Sequence, residues 1–174
     1  IRVSLVGSEM CIRDSAGTEV GVTEPMATFS ACFGAPFMPR HPSEYANLLS
    51  KKIADHDASC WLINTGWIAG GYGESSRIRI NWTRALLNAA LSGDLNDVVY
   101  VTDERFGFKI PVTCDGVPSE ILQPRSTWSD VKRYDNVANV LVQMFNENFE
   151  SFADGCSDEV KAAAPRIHEN QASE

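Results

Sequence analysis

The chain has 174 residues, 44% of them hydrophobic and 22% charged, with a formal net charge of −8 at pH 7. That length suffices for one domain with a real core, and the acidic balance argues against a general nucleic-acid binder, which needs a basic surface to neutralise phosphates. No apolar run approaches the roughly 18 residues of a membrane span, and Val3 to Val6 is too short for the core of a signal peptide.

Five cysteines (Cys11, Cys32, Cys60, Cys114 and Cys156) are widely spaced, odd in number and without a CxxC pair. They read as small buried thiols in a reducing compartment, not as zinc ligands or a disulfide framework. His41, His56 and His168 are scattered and form no metal pattern such as HExxH.

In chain order, residues 1–15 are polar and aperiodic, and "AGTEVGVTEP" (16–25) is loop-like. "ATFSACFGAPF" (27–37) suits a buried strand ending at Gly34 or Pro36. "HPSEYANLLSKKIADHD" predicts a helix with Pro42 at a first helical position and Tyr45, Leu48, Leu49 and Ile53 on one face. His41 reads as a helix-entry residue. "SCWLINTG" (59–66) predicts a short apolar strand, so that helix and strand form an α/β unit. "RIRI" (77–80) alternates as a strand. Asn81 then caps a helix over "WTRALLNAALSG", with Leu86, Leu87, Ala90 and Leu91 as its apolar stripe.

Strands are predicted at 97–102 and 106–113, joined as a hairpin by Asp103-Glu104-Arg105. "PSEILQPRSTWSD" reads as a loop punctuated by Pro118 and Pro124. Ser129 caps a long helix to about Phe152, whose stripe of Tyr134, Val137, Ala138, Leu141, Phe145, Phe149 and Phe152 marks it as core. A short helix at 157–163 and a fraying tail complete the chain.

The stretch "GGYGESSRIRINWTRALL" (70–87) concentrates the chemistry. It matches neither the phosphate-cradling GxxxxGK[ST] nor GxGxxG, so taken alone "GGYGESS" is a flexible turn. In the strand that follows, Arg77 and Arg79 share one face and Ile78 and Ile80 the other. A guanidinium stacks on a purine ring and steers a phosphate, an isoleucine packs a ring face, and Thr83 offers a hydroxyl in the first turn of the next helix, whose N-terminus favours anions. Surface ion pairing of Arg77 and local capping by Thr83 are the competing explanations. Asn81-Trp82-Thr83 matches a glycosylation sequon, which counts for little in a chain with free cysteines.

The runs "GTEVGVTEPMATFSACFGAPFMPRHPSEYA", "WLINTGW", "GGYGESSRIRINWTRALLNAAL", "GVPSEILQPRSTW" and "YDNVANVLVQMFNENF" together closely resemble the C-terminal part of ATP-dependent phosphoenolpyruvate carboxykinase, in that family's order, from Ala16 to about Ile167. The resemblance implies an α/β fold: part of a mononucleotide-binding C-terminal lobe, with mixed sheet strands, flanking helices and a long C-terminal helix. It implies a cytoplasmic lyase of gluconeogenesis that decarboxylates oxaloacetate with ATP to give phosphoenolpyruvate, ADP and CO2, using Mg2+ and Mn2+. It places the adenine on Arg77, Ile78 and Thr83, and it assigns no catalytic residue and no metal ligand to this stretch. The implied partners are ATP, oxaloacetate or phosphoenolpyruvate, and the remaining N-terminal part of the same chain; nucleic acid and membrane are not among them. Ser75 stands where the family has Gly; if that position needs positive φ, the serine costs about 1 kcal/mol.

On this resemblance 1–15 is a non-native segment, 16–167 a partial nucleotide-binding lobe and 168–174 a frayed tail. The family's P-loop and metal site would lie upstream, so the chain is expected to be an inactive C-terminal fragment with unpaired strand edges. The alternative is a natural truncated, non-catalytic module that binds a nucleotide or a partner.

Overall fold

Helix α1 (Pro42–His56) begins as its proline suggests. His41 is the N-cap: its Nδ1 accepts from the Ser43 N–H at 3.3 Å and lies 2.7 Å from the Ser43 Oγ. Asp57 ends the helix in the left-handed region at φ 50°, its N–H bonded to the Ile53 carbonyl. The buried Ser43 sits against Gly155, where an added Cβ would come within 3.2 Å of the Ser43 Oγ.

A computed structural model describes residues 9–12, 27–30, 37–63, 66–71 and 73–168. The readings placed on 1–8, 13–26, 31–36 and 169–174 lie outside the described residues, as do those on Asn64, Thr65 and Tyr72. The described elements are β1 (Glu9–Ile12), β2 (Ala27–Ser30), α1, β3 (Trp67–Ile68), β4 (Ser76–Arg77), α2 (Ile80–Ser92), β5 (Tyr100–Thr102), β6 (Lys109–Pro111), α3 (Ser119–Leu122), α4 (Pro124–Thr127), α5 (Val131–Glu150) and α6 (Asp158–Ala162). The fold is α/β. Its sheets are three antiparallel pairs, β1–β2, β3–β4 and β5–β6. β1 pairs β2 with Glu9 opposite Ser30 and Ile12 opposite Ala27.

Two compact units are present, one drawn from Ile1–Cys60 with Leu141–Arg166, the other from Trp61–Val140 with Ile167–Glu174. The second holds a core of Ala89, Leu95, Cys114, Val117 and Leu122. In α2 the residues facing this core are Trp82, Ala85, Leu86, Ala89 and Ala90, a clean i, i+3, i+4, i+7, i+8 stripe. The predicted stripe is therefore corrected: Leu87 and Leu91 point outward, Leu91 being 78% exposed.

Five further expectations change. Residues 59–63 form no strand, and Leu62 is 73% exposed; an apolar run of this length becomes a buried strand only when neighbouring strands cover it. The strand over 77–80 shortens to Ser76–Arg77, and α2 starts at Ile80 with Arg79, not Asn81, at the N-cap. The loop over 118–130 contains two single-turn helices, α3 and α4, because Pro118 and Pro124 stand at helix starts, where a missing N–H is harmless. Asp130, not Ser129, caps α5, its Oδ1 accepting from the Arg133 N–H at 3.0 Å.

The predicted hairpin is present, with Tyr100 opposite Pro111 and Thr102 opposite Lys109, but its strands shorten to Tyr100–Thr102 and Lys109–Pro111 and its connection runs over 103–108 instead of the three residues Asp103-Glu104-Arg105. Along α5, Ala138 and Val142 are buried and Tyr134, Leu141, Phe145 and Phe149 half-buried, whereas Val137 is exposed. Helix α6 is capped by Ser157, whose hydroxyl accepts from the Val160 N–H.

Candidate functional site

The glycine turn is built from its ends inward. Trp67 pairs with Arg77 and Ile68 with Ser76, and the Ile78 N–H extends the ladder to the Gly66 carbonyl at 2.9 Å. The reversal uses φ 64° at Ala69, φ 152° at Gly70 and φ 79° at Gly73. Ala69 is the strained member, since an L-residue in the left-handed region costs about 1 kcal/mol. Ser75 carries no such strain: positive φ falls on Gly73 instead. The serine hydroxyl donates to the Gly71 carbonyl at 2.9 Å, and the Glu74 N–H to the same carbonyl at 3.3 Å.

Each residue singled out in the sequence has a defined place. Arg77 is exposed on β4, its Cζ 5.8 Å from the centroid of the Trp67 ring. Ile78 is half-buried, with its N–H committed to Gly66. Thr83 is half-buried at the fourth position of α2, its N–H bonded to the Arg79 carbonyl at 3.2 Å. It does not cap the helix, because the N-cap is Arg79, whose side chain makes no capping hydrogen bond. The Arg79 guanidinium instead lies 4.9 Å from the Trp82 ring. Two cationic side chains on aromatic faces thus flank a helix N-terminus whose first donors lack a side-chain cap.

Beside this turn the second unit contains an ion network that the sequence did not reveal. Asp135 on α5 is 1% exposed and Arg105 6%. Asp135 accepts from Arg105 Nη2 at 2.9 Å, and from Arg125 through Nε at 3.0 Å and Nη2 at 2.9 Å. Arg105 Nε reaches Asn139 Oδ1 at 3.0 Å, and its guanidinium lies 5.8 Å from the Tyr134 ring. Arg105 is placed by its own turn, where Asp103 Oδ1 accepts from the N–H groups of Arg105 and Phe106. Trp128 packs edge-on against Tyr134 at 5.6 Å. Hydrogen bonding from Arg125, with help from Arg105, holds the Asp135 carboxyl down at about 2, against the opposing effect of burial. Burial pushes the Tyr134 hydroxyl and the Cys114 thiol up. The partners are 30 and 10 residues apart; the available signal was an acid inside the predicted core stripe of α5.

No group of three or more His, Cys, Asp or Glu is placed to hold a metal among the described residues. The donor set described here therefore does not fit a divalent ion, and no step is routed through one. No helix among the described residues is long and apolar enough to cross a membrane.

An α/β chain with a short antiparallel pair feeding a helix N-terminus defines a general class, and comparison with known proteins narrows it. The family model described as phosphoenolpyruvate carboxykinase, of the ATP type, matches residues 11–120. The chain belongs to that family. It is 60% identical over 152 residues to the phosphoenolpyruvate carboxykinase (ATP) of Brucella anthropi, covering 87% of this chain and 28% of the relative. It is 59% identical over 154 residues to that of Mesorhizobium japonicum, covering 88% and 29%. To that of Parvibaculum lavamentivorans it is 59% identical over 150 residues, covering 86% and 28%. The chain thus spans somewhat over a quarter of the length of the relatives it matches.

Proposed function

We propose that this chain is the ATP-side portion of a carboxykinase that converts oxaloacetate and ATP to phosphoenolpyruvate, ADP and CO2 in the cytoplasm, with Mg2+ and Mn2+ bound by residues outside this stretch. The region 16–167 is read as part of the nucleotide-binding lobe. Within it Arg77, Ile78 and Thr83 hold the adenine. The observation that carries this is the arrangement around β4: an exposed guanidinium backed by an indole, then a half-buried isoleucine, then a threonine in the first turn of an uncapped helix.

The physical roles follow. Arg77 offers a flat cation for the purine face, already ordered by Trp67. Ile78 has given its N–H to the ladder, so it contributes its side chain or its carbonyl. The Thr83 hydroxyl both donates and accepts, which suits the edge of a base. The start of α2 adds a field that favours phosphate. Phosphoryl transfer further needs a phosphate cradle and charge neutralisation; no GxxxxGK[ST] occurs in the 174 residues. This portion alone is accordingly expected to bind without turnover.

The test is calorimetric titration of the chain with ATP. Arg77→Ala is expected to weaken binding about five- to thirtyfold, the range of a desolvated cation–π contact. Thr83→Val is expected to weaken it about two- to tenfold, the worth of one hydrogen bond. Equal affinities in all three proteins would remove these residues from the site.

A further inference from the structure

Arg133, in the first turn of α5, reaches back across 59 residues to the glycine turn: its Nη2 lies 2.6 Å from both Oε1 and Oε2 of Glu74. Both side chains are about half exposed, and isolated pairs of that kind contribute little to global stability. The surroundings give this one a local consequence. The arginine stands on an element fixed three ways: Asp130 caps the helix through the Arg133 N–H, Tyr134 packs on Trp128, and Asp135 is clamped by two arginines. The glutamate stands in the opposite kind of segment. Gly70, Gly71 and Gly73 leave the turn many conformations to lose, and among the described residues two bonds converge on its Gly71 carbonyl.

We infer that Glu74 and Arg133 are positioning residues: their ion pair ties the glycine-rich turn to the start of α5 and so fixes the strand that presents Arg77. Glu74 is three residues before Arg77, and the turn ends directly in β4. A turn released from α5 samples more conformations, and each moves β4 relative to Trp67. The effect on nucleotide affinity rests on the adenine-site reading above; the effect on the turn does not.

Two measurements on the full chain separate these levels. The first is hydrogen exchange at the amides of positions 74 and 78, which bond to the Gly71 and Gly66 carbonyls. The second is the affinity for ATP, with inorganic tripolyphosphate as the base-free control. The proteins are wild type, Glu74→Gln, Arg133→Gln and the exchanged pair Glu74→Arg/Arg133→Glu. Each single variant is expected to speed exchange, and to weaken ATP, about two- to fivefold, as an exposed pair allows. Tripolyphosphate affinity should be unmoved, and the exchanged pair should recover both readouts. A simple loss of folding would not be rescued by exchanging the charges. If wild type binds ATP and the single variants match it, the positioning role is overturned. If wild type binds no ATP, the adenine-site reading fails on its own; faster exchange in the single variants, restored by the exchanged pair, would then still support the tie, and unchanged exchange would overturn it.

Discussion

Asp135 sets one negative charge against two guanidinium groups, and the balance fixes what its removal does. Arg105 is buried and shares its donors between Asp135 and Asn139. Without the carboxylate it keeps its charge and loses its counter-ion, and breaking a buried pair in this way costs about 3 kcal/mol or more. Asp135→Asn retains an acceptor but no charge, so destabilisation of about 2–3 kcal/mol is expected in urea unfolding at neutral pH. The pH dependence has a definite sign. The folded carboxyl sits at about 2, below its ordinary 3.8, so its contribution is complete above the unfolded value and is lost as pH falls through the folded one. The wild-type advantage over Asp135→Asn should therefore be full at pH 6 and shrink steadily between pH 4 and 2. An advantage independent of pH would mean that the charge is not what matters.

At the scale of elements, caps and stripes divide what the sequence discloses from what it hides. The helix beginning at Pro42 was legible because the proline and the apolar spacing point to the same start. Its cap predicts a measurable effect: His41→Ala removes the acceptor of the Ser43 N–H and should cost about 1 kcal/mol, whereas His41→Asn, a better capping residue, should not. Thermal melts of the two variants check this; equal losses would assign the role of His41 to its contact with Phe152. The start of α2 departs from the expectation because Asn81 is a good cap by type, yet the chain turns helical two residues earlier, where Arg79 rests on Trp82. The stretch 59–63 departs from its expected strand because a strand is a property of its neighbours, and an apolar run by itself does not specify them. The Arg105–Asp135–Arg125 network was invisible for a related reason: charge pairing over 30 residues has no period. The candidate site was legible as residue types, Arg77, Ile78 and Thr83, while the tie between Glu74 and Arg133 needed three dimensions.

At the scale of the molecule, the exposed apolar surface and the proposed function can be tested in one experiment. Phe37, Leu62, Ile80, Leu91 and Val99 are largely exposed, and the sheets among the described residues have two strands each. Single apolar residues at the surface are ordinary, but this many large ones on one small chain favour association. Sedimentation velocity of this chain should show concentration-dependent assembly, and a monomer at every concentration would refute it. A carboxykinase relative is more than three times as long, and the phosphate cradle and metal ligands that the reaction needs are not found among the motifs and described clusters here. Co-expression with the preceding portion of a related carboxykinase tests both ideas at once. Covering the apolar surface should abolish the assembly, and on the proposed function a supplied phosphate cradle and metal site should yield phosphoenolpyruvate from oxaloacetate and ATP where neither piece does so alone. Arg77→Ala in the reconstituted enzyme should then raise the KM for ATP more than it lowers kcat, because a base contact is made equally in ground and transition states. A loss confined to kcat would place Arg77 at the reacting phosphate instead of the base.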